Sequence, residues 1–456
     1  MHTRVDEPRR LLHTTGAVAI VVGIVVGAGI FKTPAMVAGM TQDHGWLIAA
    51  WLAGALVSLA GALCYAELCA AHPHAGGEYH FLSRAWGKHV AFLYAWSKAM
   101  VINTGSIALL AYVFGDYMTR VVDLGAHSSA LWAVAIIIVL TTTNILGLTV
   151  AARLQTAMVL LLVGGLVAVV VAGFAAPAAG LTSHPAPTWF ASTPSAGMLG
   201  LAMVFVLLTF GGWNEAAYLS AEVRGGPRAV ARVLMLSLSL ITALYLLANL
   251  ALLHGLGLAG LATSKAAGAE VLGLHFGVRG ERLLGVLVAL AALTSIHSTM
   301  IVGARSNYAL GRDWVLLRQL GRWQAGRGAP VNGHVVQMAI SLALVVFGAF
   351  QADGFEAMVE FTAPVFWTFL FMVGLAVFRL RRRYPGIARP FRVPLYPLTP
   401  LVFCAACAWL AWSSVSYAAS KAAVHVSLLV MLAGLVVLGG LLLQDRVARQ
   451  RAPGSP

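Results

Sequence analysis

Two glycine-centred stretches are the residues best placed to do chemistry. One reads Gly23-Ile24-Val25-Val26-Gly27-Ala28-Gly29-Ile30-Phe31 and the other Leu208-Thr209-Phe210-Gly211-Gly212-Trp213-Asn214, each in the middle of a long apolar run. Glycine weakens a helix by about 1 kcal/mol relative to alanine, so a cluster invites the backbone to leave it. Backbone outside a helix survives in hydrocarbon only where it lines a cavity, because each unanswered peptide group exposed to lipid costs several kcal/mol. An interrupted helix offers free N–H groups at the start of one half, which favour a carboxylate. It offers free carbonyls at the end of the other half, which favour an ammonium. A guest that satisfies both is a zwitterion, of which an α-amino acid is the obvious case. Gly23-x-x-x-Gly27 alone also suits a close-packing face between two helices. Two clusters at equivalent places, five helices apart, favour the paired interruptions of an inverted-repeat transport site.

The elements that position these clusters follow from composition. The chain has 456 residues, 60% of them hydrophobic and 10% charged, with a mean hydropathy of +0.84. Soluble domains run near 45–50% apolar and 25% charged, so a soluble globule is excluded. At about 20 residues per span, twelve helices are expected near 14–38, 46–70, 88–119, 130–149, 152–174, 197–222, 230–256, 282–306, 332–351, 355–379, 397–417 and 422–444, leaving no soluble domain of useful size. The basic, then apolar, N-terminus imitates a secretory signal, but the apolar run continues past Gly29 and further spans follow, so cleavage is not expected.

The formal charge of +14 is explained by placement rather than by nucleic acid. With the N-terminus inside, about 23 of the 30 Lys and Arg fall on one side, in segments that include Arg9, Arg10, Arg224, Arg305 and the run Arg381-Arg382-Arg383. Both termini are therefore expected in the cytoplasm, with the basic loops facing anionic lipid. Cys64, Cys69, Cys404 and Cys407 all lie in apolar stretches and are expected to pack rather than to bind metal or form disulfides. A membrane enzyme is disfavoured, since the inner loops carry no metal-ligand spacing, nucleophile elbow or phosphate loop. A channel is disfavoured by the absence of a polar stripe along any helix.

Five motifs resemble the amino acid-polyamine-organocation superfamily of permeases, in its bacterial and L-type amino acid transporter branch. They are Val26-Gly27-Ala28-Gly29-Ile30-Phe31; Tyr65-Ala66-Glu67-Leu68 with Ala75-Gly76-Gly77-Glu78-Tyr79; Phe210-Gly211-Gly212-Trp213-Asn214 followed by Glu222-Val223-Arg224; Ala304-Arg305 with Tyr308-Ala309 and Arg312-Asp313; and Arg389-Pro390-Phe391-Arg392-Val393-Pro394. The resemblance implies an all-α, polytopic fold of about 12 helices in a single domain, with helices 1 and 6 unwound at mid-membrane. Its two five-helix inverted repeats would cover about 14–174 and 197–379, with extra helices at about 397–444, as in bacterial leucine transporters. Carried over by position, Val26, Ala28 and Gly29 would receive the substrate carboxylate through N–H groups. Leu208, Thr209 and Gly211 would accept from its ammonium, and Asn214 would hold the unwound turn.

The implied function is secondary active transport of small or medium neutral amino acids across a bacterial cytoplasmic membrane, by proton symport or exchange. The alternative is a cationic amino acid or polyamine read by Glu215; a non-transporting sensor is a remote reading, because the short tail offers no signalling segment. No cofactor is implied, and a monomer or homodimer is expected. Many relatives carry a Lys in helix 5, about where this chain has Leu162, so a coupling scheme based on it does not transfer. A sodium ion, the less favoured coupling ion, would use the hydroxyls of Thr294 and Ser295. Glu215, beside Asn214, is a carboxylate within a membrane helix and so a candidate site by default; it could carry a proton, meet a cationic side chain, or point into a hydrated vestibule. Lys98 and Asn103 are expected to snorkel or to make structural hydrogen bonds, and His297 to be a helix-contact histidine before a proton carrier. Glu67 and Glu78 are expected to form an inner gate with Arg305 or Arg224.

Overall fold

The computed structural model describes residues 10–176, 189–348, 354–420 and 424–451. Among these every regular element is a helix, apart from the isolated bridges Leu12 to Val223 and Gln324 to Ala329. The first span is two helices, α1 (Thr14–Val25) and α2 (Gly29–Thr41), bent by 46° at residues 26–28. Then follow α3 (His44–Ala71), α4 (Gly77–Trp86), and a third span made of α5 (Lys88–Ser97), a π-helical turn (Lys98–Ile102) and α6 (Asn103–Thr119). After α7 (Ser128–Ile145) and α8 (Leu148–Ala175), the sixth span is broken as well, into α9 (Ala196–Thr209) and a 3-10 helix (Trp213–Leu219). The rest comprises α10 (Pro227–Thr263), α11 (Ala267–Phe276), α12 (Val278–Asp313), α13 (Val331–Gly348), α14 (Gly354–Arg383), α15 (Leu398–Ser420) and α16 (Val424–Arg451).

Ten helices among the described residues are long and apolar enough to cross a membrane, or eleven if the bent α1–α2 pair is one span. The expected count of twelve is thus met for eleven. The twelfth, expected over 422–444, begins outside the described residues and continues as α16, whose apolar stretch Met431–Gln444 is shorter than a full span. Span 7 was expected to stop at residue 256, and α10 kinks at Gly257, whose φ of 66° is outside the helical region. The amphipathic α4 and the short α11 were not expected as elements, because each is too brief to give a span-length apolar signal.

The basic segments meet at one end of the bundle. There Leu12 donates to the Glu222 carbonyl at 2.9 Å and accepts from Arg224 at 2.8 Å, while the Leu148 N–H reaches the Arg327 carbonyl at 3.1 Å. Glu67, at the same end of α3, takes a two-pronged contact from Arg381 (2.7 and 2.5 Å), the N–H of Val393 (2.7 Å) and the charge of Arg389 at 3.7 Å. It therefore staples α3 to the end of α14 and the loop beyond. This replaces the expected gate between Glu67 and Arg305 or Arg224.

A carboxylate also organises the opposite end. Asp43 caps α3 through the N–H of Trp46 at 3.0 Å and accepts the N–H groups of Phe190 and Ala191, each at 3.0 Å, so one side chain fixes both a helix start and the chain leading to α9. Burial acts to raise its pKa, but the N–H groups of Trp46, Phe190, Ala191 and Gly45 outweigh it and hold the carboxyl below its ordinary value. The bonus belongs to the ionised form, so it is present at neutral pH and lost as pH falls through the lowered pKa. We predict that Asp43→Asn lowers the thermal midpoint at neutral pH by several degrees, and that the gap to the unsubstituted protein narrows on acidification. Melting curves across pH check this, a constant gap being the contrary result.

Candidate functional site

The two breaks face each other. Gly212 has φ +109°, and a Cβ there would lie 2.5 Å from the Ile24 side chain; a Cβ on Gly29 would lie 3.2 Å from Thr209. Glycine is thus required at Gly212 both for its left-handed backbone and for the approach of the two segments. The same logic explains Gly23, whose Cβ would collide with the Gln155 amide at 1.9 Å.

What holds the breaks open is a set of hydroxyls from neighbouring helices. The Tyr245 hydroxyl, on α10, sits between the carbonyl oxygens of Val25 at 2.9 Å and Thr209 at 3.2 Å, one from each broken span. Ser295, on α12, donates to the Gly23 carbonyl at 3.0 Å. The Thr33 and Thr209 hydroxyls are 2.7 Å apart; since Thr209 donates to the Phe205 carbonyl, Thr33 is the donor to Thr209. The bonds from Tyr245 and Ser295 answer carbonyls near the ends of α1 and α9, where the regular helical ladder stops.

The N–H side is less occupied. Gly27 donates to the Val25 carbonyl and Phe31 to that of Ala28, whereas the N–H groups of Ala28, Gly29 and Ile30 open α2 with no helical turn before them. Gly27, Ala28 and Gly29 are half-buried, while Val26 is fully buried. Of the positions carried over from the resemblance, Ala28 and Gly29 therefore present reachable N–H groups, and Val26 is lining beneath them. On the other break, Leu208 is half exposed, Thr209 is buried with a carbonyl already holding Tyr245, and Gly211 is half-buried. A narrow cleft of ≈ 20 Å³ adjoins this break, lined by Ser58, Leu207, Gly211, Asn214, Phe366 and Trp367 among others.

Asn214 does more than hold the turn: its amide donates to Glu78 at 2.9 Å, tying the 3-10 helix to α4. Glu78 reaches the bundle interior because Gly76 and Gly77 let α4 start against Tyr218, where a Cβ on Gly77 (φ +45°) would meet the Tyr218 backbone nitrogen at 2.9 Å. There it accepts from Tyr65 at 2.5 Å, from Tyr94, and from Lys98 at 3.1 Å. Lys98 also reaches both oxygens of Glu215, at 2.6 and 2.8 Å, and lies 4.2 Å from the centre of the Tyr218 ring. Of the two expectations for Lys98, hydrogen bonding is what the structure shows and snorkelling is not: the residue is 1% exposed and lies about 15 Å along its span from Lys88, too deep to reach water. The vestibule reading of Glu215 is corrected too, since its carboxylate is spent on Lys98 and the residue is 8% exposed.

The remaining candidates serve packing and closure. Thr294 donates to the carbonyl of Ala291, three residues back, and Ser295 to Gly23, so both hydroxyl protons are committed to carbonyls. His297 pairs through Nδ1 with Gln155 at 2.9 Å, as a helix-contact histidine would. Glu222 receives the guanidinium fork of Arg305, both groups buried, and Arg305 also donates to the Ile301 carbonyl at 2.6 Å. Together with Leu12 between Glu222 and Arg224, this closes the bundle at its basic end, below the breaks.

Sequence reasoning missed Tyr245 because nothing in its neighbourhood distinguishes it from a packed tyrosine. It missed the Lys98 partnership although the residue types were noticed, since helix rotation decides whether Lys98 and Glu215 meet. We predict that Tyr245→Phe, which deletes one hydroxyl serving two carbonyls, lowers stability by about 1–2 kcal/mol and speeds amide hydrogen exchange across 26–31 and 209–213; unchanged exchange there would oppose the assigned role.

Comparison with known proteins agrees with this architecture. A family model described as amino acid permease matches residues 12–438. The chain is 25% identical over 447 residues to the serine/threonine exchanger SteT of Bacillus subtilis (strain 168), covering 97% of this chain and 99% of that protein. It is 26% identical over 389 residues to the b(0,+)-type amino acid transporter 1 of Mus musculus, covering 83% and 77%. It is 27% identical over 397 residues to the Asc-type amino acid transporter 1 of Mus musculus, covering 83% and 72%. With two broken spans facing each other inside an apolar helical bundle and a family match over most of its length, the chain belongs to the amino acid permease family and is an integral membrane protein.

Proposed function

We propose that this permease moves a small or medium neutral amino acid across a bacterial cytoplasmic membrane by alternating access, with its α-carboxylate at the N–H groups of Ala28 and Gly29 and its α-ammonium at the carbonyls of Leu208, Thr209 and Gly211. The observation that carries the reading is the Tyr245 hydroxyl set between Val25 and Thr209, which keeps a positive helix start and a negative helix end within reach of one small guest. Each carbonyl has two lone pairs, so Thr209 can accept an ammonium while still holding Tyr245.

The apolar lining beside the second break, with Leu207, Phe366 and Trp367, suits an uncharged side chain. Glu215 has both oxygens on Lys98, which weighs against a cationic amino acid or polyamine that would need a free carboxylate. The relatives named as exchangers or transporters of amino acids support the substrate class. Two inverted five-helix repeats, about 14–174 and 197–379, would relate the broken spans, and the excess of Lys and Arg at the closed end supports a cytoplasmic location for both termini. The arrangement described is then closed inward, and transport requires the contacts of Glu222 with Arg305 and of Leu12 with Glu222 and Arg224 to part.

Uptake into proteoliposomes, with a panel of labelled amino acids and with or without internal amino acid, tests the reading: neutral amino acids are expected to accumulate or exchange, and failure of every amino acid to enter would refute it. Arg305→Ala leaves Glu222 buried without its partner, a change worth about 3–5 kcal/mol against the closed form. A cysteine placed at Leu12 is then expected to react about tenfold faster or more with an impermeant maleimide applied from the cytoplasmic side; an unchanged rate would contradict the gate.

A further inference from the structure

The cluster beneath the second break does not balance in charge. Lys98 contributes one positive charge, while Glu78 and Glu215 contribute two negative charges if both are ionised, and the three residues are 1%, 2% and 8% exposed. An uncompensated charge at such depth is strongly disfavoured, and two carboxylates sharing one cation relieve it by taking up a proton. We infer that Lys98, Glu78 and Glu215 form a binding site for one proton, and that Glu215 is the residue that carries it.

The assignment to Glu215 follows from the hydrogen bonds. Glu78 accepts from Tyr65 and Asn214 on Oε1 and from Tyr94, Lys98 and, at 3.3 Å, Tyr218 on Oε2, so its lone pairs are met by donors and it remains a carboxylate. Glu215 has Lys98 on both oxygens and no other hydrogen-bond partner among the described residues, and it is the most exposed of the three. A proton arriving from water adds to one Glu215 oxygen; Lys98 keeps its bond to Glu78 and to the other Glu215 oxygen, and the cluster becomes neutral.

Among the described residues the surroundings add no second cation. Around the 3-10 helix, α3 presents Tyr65, α4 Glu78, and the third span Tyr94 and Lys98. From α10 comes Tyr245, turned to the breaks; α12 presents Arg305, committed to Glu222, and His297, committed to Gln155; and α1 has no charged residue. Two features of the backbone set the cluster in a movable place. Lys98 opens a π-helical turn, a distortion that often marks functional sites, and Glu215 rides on the 3-10 helix three residues beyond Gly212, the hinge of the broken span. A shift of that segment separates Glu215 from Lys98 and exposes it, so proton release is tied to the motion of the break. The proton site stands on the charge count and geometry alone; its use in coupling rests on the transporter reading and deepens it.

Infrared difference spectra of the purified protein in lipid at neutral pH test the site without transport. Wild type minus Glu215→Gln is expected to show the carbonyl stretch of one protonated carboxyl. Glu78→Gln, which leaves one carboxylate for one ammonium, should lose the same band, and Lys98→Met/Glu215→Gln, which leaves Glu78 without its cation, should regain one. If Glu215→Gln does not fold, the comparison with Glu78→Gln decides. A difference spectrum containing only carboxylate bands overturns the inference. In proteoliposomes, wild-type exchange is expected to change about tenfold from mildly acidic to mildly alkaline pH, equivalent to one proton-linked step, and Glu215→Gln to flatten it. A protonated carboxyl with no amino acid uptake by wild type would remove the transporter reading and leave the site; uptake indifferent to pH would remove the coupling.

Discussion

A single phenolic hydroxyl, that of Tyr245, reaches two carbonyl oxygens that belong to different broken spans, Val25 and Thr209. The constraint behind it is general: peptide groups that leave a helix inside an apolar bundle must be answered by something other than water. Here the carbonyl side is answered by side-chain hydroxyls, from Tyr245 and Ser295, brought in by α10 and α12. The N–H side, at the start of α2, is left for a guest. The open N–H groups, together with the second lone pairs of the carbonyls, are what the proposed guest would use.

Beneath this neutral centre lies an ionic layer that divides into two parts. The pair of Glu222 with Arg305 is balanced, buried and placed where the N-terminal segment crosses, which suits a contact that must be either made or broken. The cluster of Lys98, Glu78 and Glu215 is unbalanced and sits directly behind the unwound segment, linked to it through Asn214 and Tyr218. Glu67 belongs to neither: with Arg381, Arg389 and the Val393 N–H it is a fixed joint between α3, α14 and the following loop. Glu222, Glu78 and Glu67, which look alike in sequence, are thus distinguished by their donors: Arg305 for the first, Tyr65, Tyr94, Lys98 and Asn214 for the second, and Arg381 with the Val393 N–H for the third.

The parts of this account that were legible in sequence are those with a local cause. Gly23, Gly27 and Gly29, and Gly211 and Gly212, interrupt apolar runs whatever surrounds them, and the breaks fall at 26–28 and 210–212 as the glycines require. Eleven of the twelve spans follow from hydropathy, and the expected end of span 7 falls at the Gly257 kink, although α10 runs on to Thr263 and α12 to Asp313. What was not legible depends on which way a helix is turned. Lys98 and Glu215 are 117 positions apart, and only the rotation of two helices decides whether they pair or one faces lipid. The same holds for Glu67, whose partner Arg381 counts in sequence only as one of the basic residues gathered on one side, and for Tyr245, which carries no sequence signal beyond being a tyrosine. Asp43 was readable in principle, as an acidic residue just before an apolar helix, but its second role, gripping residues 190 and 191, was not.

The central claim is that one guest must bring both a carboxylate and an ammonium to the two breaks. The most direct measurement compares binding of a transported neutral amino acid with that of its methyl ester and of its N-acetyl derivative, which each lack one charge but keep the side chain. The account predicts that both derivatives bind about a hundredfold more weakly, the loss of one charge-assisted contact set worth about 3 kcal/mol. Equal binding of either derivative would show that its missing charge is not read, and would contradict the pairing of the two broken helices around a zwitterion.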